Sequence, residues 1–188
     1  TIGFSFGIQE FIGTGSFKKN KSYPEAQIKY RIFEETETRP SIVFGLDTQG
    51  KGKYINKIER YEQKAMGAYF ILSRNYEILG NLGFHIGINK NLFEDFDGDD
   101  DINLFFGFDR ELNRSFSLMA EYDFAINDND FDDSEYIIRK GRGYLNTGVR
   151  WSATNNLMLE INVNDISKNN ELYDSMNREV KIIYFESF

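Results

Sequence analysis

Nine charged residues fall on alternate positions of segments that otherwise read as strands: Lys29, Arg31, Asp47, Asp109, Glu121, Asp123, Arg150, Glu160 and Lys181. At a period of two they share one face, and charges of opposite sign held away from water must pair. The pairing candidates are Asp109, Glu121 and Asp123 against Lys29, Arg31 and Arg150. Such a set plugs and rigidifies an interior or, alternatively, lines a narrow solute path. Other chemistry is thinly supplied. His85 is the only histidine, and its same-face neighbours on its own strand are Gly83, Gly87 and Asn89. A nucleophile for it would have to come from an adjacent strand. One histidine and no cysteine leave little for a zinc site. The expectation is a non-enzymatic protein.

Asp95, Asp97, Asp99 and Asp101, with Gly98 between them, resemble the start of a calcium loop, in which alternating carboxylates surround a sharp turn. The twelfth position of such a loop falls on Phe106 instead of a glutamate. A solvated acidic loop is the simpler reading; calcium bridging to lipopolysaccharide is the sharper one, and no other cofactor is indicated. A second acidic run, Asn127 to Asp133, has the same two readings. The basic runs at 18–21 and 139–142 are either solvated or in contact with lipopolysaccharide phosphates or an anionic glycan. The net charge of −8, with no basic stripe, argues against a nucleic-acid partner.

The elements that position these residues are read from alternation. In 82–89, Leu82, Phe84, Ile86 and Ile88 oppose Gly83, His85, Gly87 and Asn89. Segments 103–109, 116–124 and 157–164 behave alike, and 2–11, 26–34, 41–48, 65–75, 144–152 and 179–188 complete about ten strands. Connections at 12–25, 49–64, 90–101, 127–143 and 167–178 are long and charged, whereas those at 35–40, 76–79, 110–115 and 153–156 are tight. Strict alternation of long and short puts all long loops at one rim. The polar face is rich in Gly as well as charge, which suits a narrow barrel interior better than a solvated sheet surface. Tyr54, Tyr61, Tyr76, Tyr144, Trp151 and Tyr184 fall near strand ends, where an aromatic girdle would lie. Tyr184 and the terminal Phe188 fit the insertion signal of outer-membrane barrels, with Glu186 as an unexpected charge on the same face. Mean hydropathy is −0.51, but a membrane barrel averages its two faces and hides its apolar one. Thr1 in place of Met, with no hydrophobic leader, is expected of a processed chain.

Two segments echo each other: Gly7-Ile8-Gln9 before Gly13-Thr14-Gly15-Ser16-Phe17, and Gly45-Leu46-Asp47 before Gly50-Lys51-Gly52-Lys53-Tyr54. The run Gly7 to Gly15, the segment Tyr69 to Arg74, and Phe106-Gly107-Phe108-Asp109 followed by Leu118 to Asp123 resemble motifs of YjbH-type outer-membrane proteins. That resemblance implies a bacterial outer-membrane protein linked to exopolysaccharide production, and it supplies no catalytic residues.

The sequence therefore predicts one domain over residues 1–188, an all-β, antiparallel up-and-down transmembrane β-barrel of about ten strands in the Gram-negative envelope. The expected role is a structural or interaction subunit at the cell surface. Its partners would be the lipid bilayer, lipopolysaccharide, and other envelope proteins or a polysaccharide. A narrow porin-like channel and a soluble β-barrel or sandwich binding protein are the alternatives.

Overall fold

In the computed structural model of the protein, the strands in chain order are β1 (Ile2–Ser5), β2 (Ile8–Gln9), β3 (Lys18–Lys19), β4 (Glu25–Phe33), β5 (Ser41–Asp47), β6 (Lys51–Ile55) and β7 (Arg60–Gln63). They continue with β8 (Gly67–Glu77), β9 (Asn81–Lys90), β10 (Asn103–Glu111), β11 (Phe116–Asp123), β12 (Tyr144–Ser152), β13 (Leu157–Asn164) and β14 (Asn177–Tyr184). A short 3-10 turn, Ile126–Asp128, is the one helical element among the described residues. The structure describes residues 2–5, 8–9, 18–19, 21, 24–78, 80–94, 98–128, 140–170 and 176–184.

Ten strands form one antiparallel sheet in the order β1-β4-β5-β8-β9-β10-β11-β12-β13-β14, so each strand pairs with its sequence neighbours in the sheet. This is the predicted up-and-down meander. Two hairpins stand outside it, β2–β3 and β6–β7. They correct two expectations. Residues 2–11 do not form one continuous strand of the sheet, because Ile8 and Gln9 pair with Lys19 and Lys18. The segment 49–64 is not a plain loop, because Lys51, Tyr54 and Ile55 pair with Gln63, Tyr61 and Arg60. The signal was the echoed glycine-rich segment, which in the second copy runs directly into β6.

Register brings like residues into rows across the sheet. Ile28, Leu46 and Ala68 continue one another on one face, as do Leu72, Ile86, Phe106, Tyr122 and Leu145. On the other face Ser41, Ser73, His85, Gly107, Glu121 and Asn146 form a polar row, and Ser117, Arg150, Glu160 and Lys181 another.

The sheet is strongly rolled. Lys29 on β4 interacts electrostatically with Arg150 on β12 and Glu160 on β13, and Asp47 on β5 with Lys181 on β14. With neighbouring strands ~4.8 Å apart, a flat sheet would separate β4 from β12 by ~29 Å. Only curling brings their polar faces together. Among the described residues no ladder joins β14 to β1, so the expected closed barrel is not reached in backbone hydrogen bonds.

The concave face is crowded where opposite residues allow it. The Tyr69 ring lies where a Cβ on Gly45 would come within 2.1 Å of its Cζ, and Phe105 covers Gly87 with a corresponding approach of 2.2 Å. Both rings are buried, and each depends on the missing side chain across the strand. Gly45→Val is therefore expected to expel Tyr69 and to destabilise the fold by about 1–3 kcal/mol, the usual cost of overpacking. A lowered urea midpoint at unchanged slope would show it.

Candidate functional site

The distribution of side chains is inverted relative to a water-soluble domain. Among the described residues, seventeen polar or charged residues are buried against seven hydrophobic ones, while Ile2, Phe4, Ile182 and Tyr184 are 70, 75, 75 and 66% exposed. The exposed apolar residues occupy the convex face of strand after strand. The buried polar ones line the concave face and, above all, one rim.

That rim is where the long connections leave. The hairpin β6–β7 folds across it and is anchored by groups from four other elements. Arg60 donates through Nη1 to Asp128 Oδ1 at 2.7 Å and through Nη2 to Asp128 Oδ2 at 3.2 Å, and both side chains are almost fully buried. The Tyr144 hydroxyl, at the start of β12, donates to the same carboxylate at 2.8 Å. Tyr61, wholly buried, donates its hydroxyl to Glu25 at the start of β4 at 2.6 Å, and the Lys21 ammonium stands 3.1 Å from the other Glu25 oxygen. Glu94, in the connection after β9, accepts the backbone amides of Tyr61 at 2.9 Å and Ala65 at 2.7 Å. Lys64 donates to the carbonyls of Asp99 and Asn127. Lys51 reaches down to Glu121 on β11, where the two form an ion pair.

Burial dominates the electrostatics of this rim. It raises the Tyr61 phenol, with the adjoining Glu25 carboxylate acting in the same sense. It also raises Glu94 and Glu62, against the amide donors that hold their charged forms. Burial opposes the charged form of Lys51, but attraction to Glu121 and the hydrogen bond between them outweigh it, so its ammonium is held above the usual lysine range.

The nine charges predicted for the interior separate into groups. Arg150 and Glu160 pair directly, with Nε and Nη2 each 2.7 Å from Oε1. Lys181 lies 3.4 Å from Glu179. Asp47 accepts from Gln27 Nε2 at 2.7 Å, and Asp123 from Asn103 and Gln63. Lys29 shares the field of Asp47 and Glu160. Glu121 pairs with Lys51, a partner outside the predicted strands. Asp109 turns to His85 instead of Lys29, Arg31 or Arg150. Arg31 does not join the interior. Its side chain is mostly exposed, and among the described residues it meets the exposed Glu34, at 3.8 Å.

His85 finds the neighbours its own strand lacks. Its Nδ1 is 2.8 Å from Ser73 Oγ, directly across on β8, and its Nε2 is 2.6 Å from Asp109 Oδ1, diagonally across on β10. Sequence reasoning missed Ser73 because only strand register places it opposite His85.

Of the calcium candidates, Asp95 and Asp97 lie outside the described residues. Asp99 is buried and its Oδ1 accepts the Asp101 amide at 3.3 Å, while Asp101 is exposed. Among the described residues no group of three or more His, Cys, Asp or Glu gathers to hold a metal. Of the girdle candidates, Tyr76, Trp151 and Tyr184 are exposed on the convex face, and Trp151 stacks on Phe116 at 6.2 Å. Tyr61 and Tyr144 are instead buried in the rim, and Tyr54 packs edge-on against Tyr61. Phe188 lies outside the described residues.

Compared with protein-family models, curated proteins and solved structures, the chain gives no significant match.

Proposed function

We propose that the protein is a ten-stranded β-barrel of the bacterial outer membrane, plugged at its long-loop rim by β6–β7. In this reading it acts as a structural or interaction subunit of an envelope assembly. The observation that supports it is the inverted polarity: an apolar exterior around a polar interior whose long-loop rim is buried and paired. In water such an exterior would present a contiguous apolar patch running across the strands, which soluble monomers rarely carry. In lipid it is the required surface. Strand length fits as well. Nine of the ten sheet strands have seven to eleven residues, close to the ~9–11 that a tilted strand needs to cross the hydrocarbon core. Backbone edges are not tolerated in lipid, so closure would pair β14 with β1. The YjbH-type resemblance points the same way and favours a polysaccharide-related assembly, with lipopolysaccharide against the outer loops.

The test is reconstitution. The folded chain is expected to co-fractionate with outer membranes, to show heat-modifiable gel mobility, and to give no stable conductance in planar bilayers. A steady open-channel current would replace the plugged scaffold with the narrow-channel reading. Monomeric behaviour without detergent would replace both with a soluble β protein.

A further inference from the structure

We infer that Ser73, His85 and Asp109 form a hydrolytic site for small carboxylic esters on the concave face, open from the short-turn end. The inference goes beyond the scaffold reading, which needs no reaction in the lumen.

The arrangement follows from register. Ser73 and His85 are direct partners between β8 and β9, and Asp109 sits two residues past Gly107, the partner of His85 on β10. Diagonal neighbours on one face are within reach of a ring as long as imidazole. An ionised Asp109 carboxylate can only accept, so the 2.6 Å contact places the proton on His85 Nε2. Nδ1 then holds its lone pair toward Ser73 Oγ at 2.8 Å, the geometry of a hydroxyl poised to lose its proton. The two ring nitrogens are used in the opposite sense to the serine proteases, but nucleophile, base and orienting carboxylate keep their roles.

The site is neither sealed nor bare. The side chains of His85 and Asp109 are 30 and 32% exposed. The plug lies at the other rim, while Asp109 is two residues from the end of β10 and Ser73 four from the end of β8. Gly107, between His85 and Glu121 in the row, places no side chain beside the imidazole. Arg150, paired with Glu160, lies within electrostatic range of Asp109 and favours its ionised form. Glu35 also faces the site, bonded to Asn75 and within range of His85.

In the reaction, Ser73 Oγ attacks the ester carbonyl carbon and its proton passes to His85 Nδ1. The carbon–oxygen bond to the alcohol breaks, and His85 returns the proton to the leaving alkoxide, releasing the alcohol. Water then attacks the acyl-serine and gives its proton to His85. The bond to Oγ breaks, Ser73 regains the proton, and the carboxylic acid departs. Asp109 is a positioning residue throughout.

The experiment uses the full folded chain in detergent micelles, a biotinylated fluorophosphonate, and 4-nitrophenyl acetate. Peptide mass analysis should find the phosphonyl adduct on Ser73. Ser73→Ala should abolish that adduct, and His85→Gln should slow labelling at least 100-fold. Asp109→Asn should slow labelling and Asp109→Glu should restore part of it, a rescue that a merely structural carboxylate would not give. Ester turnover should fall in parallel. Each variant's urea midpoint reports whether it folds. Wild-type protein that folds but gains no adduct on Ser73 would overturn the inference, as would labelling unaffected by His85→Gln.

Discussion

Asp128→Ala should release the β6–β7 hairpin from the rim while leaving the ten-stranded sheet intact. The substitution removes the carboxylate that takes both Nη groups of Arg60 and the Tyr144 hydroxyl. Arg60 would then stay buried without the Asp128 carboxylate, and breaking a buried pair from one side costs about 3–5 kcal/mol. That amounts to roughly two to three and a half orders of magnitude in the opening equilibrium of the hairpin. Amide exchange read residue by residue should show 51–63 losing protection by that factor, with β9 and β10 unchanged. Because Lys51 and Gln63 leave the interior with the hairpin, Glu121 and Asp123 would lose partners too, and a conductance absent from the wild type should appear. The double variant Arg60→Met, Asp128→Leu separates pairing from charge burial. It removes both charges at similar volume, and most of the protection should return. Unchanged exchange in Asp128→Ala would mean that the other anchors, Tyr61 with Glu25, Glu94, Lys64 and the Lys51–Glu121 pair, suffice to hold the hairpin.

The sheet was legible in the sequence because its signal is local. Each strand alternates, and the tight and long connections announce themselves through Asn, Gly, Pro and charge. The plug was not legible, because its partners are far apart in sequence: Arg60 and Asp128 are separated by 68 positions, Tyr61 and Glu25 by 36. Tyr61 and Tyr144 illustrate the difficulty. Near a strand end, a tyrosine belongs equally well to a membrane girdle or to a wet interior, since its ring is apolar and its hydroxyl needs a partner. Only the acceptors at hand, Glu25 and Asp128, decide between them. Asp109 was mispaired for a related reason. Face and period were right, but the choice among cations and His85 depends on which strand adjoins which.

The exterior supplies the strongest discrimination between membrane and water. Ile86 sits mid-strand on β9, 48% exposed, in the apolar row with Leu72 and Phe106. In a water-soluble protein, Ile86→Arg would place a charge on an already solvated surface, a change normally within about 0.5 kcal/mol. In a barrel crossing a bilayer the same position lies near the midplane, where an arginine on the lipid face costs about 2–4 kcal/mol. Leu112 is the internal control. It is 58% exposed and belongs to the tight turn after β10, which in that barrel would lie where lipid gives way to headgroups and water. There the cost of Leu112→Arg should fall to about 0–1 kcal/mol. Reversible urea unfolding from lipid vesicles measures both. A depth-dependent difference of 2 kcal/mol or more between the two variants is the expected outcome. Equal and small effects would mean that the apolar face is covered by protein or lies in water, and the membrane reading would fall with it.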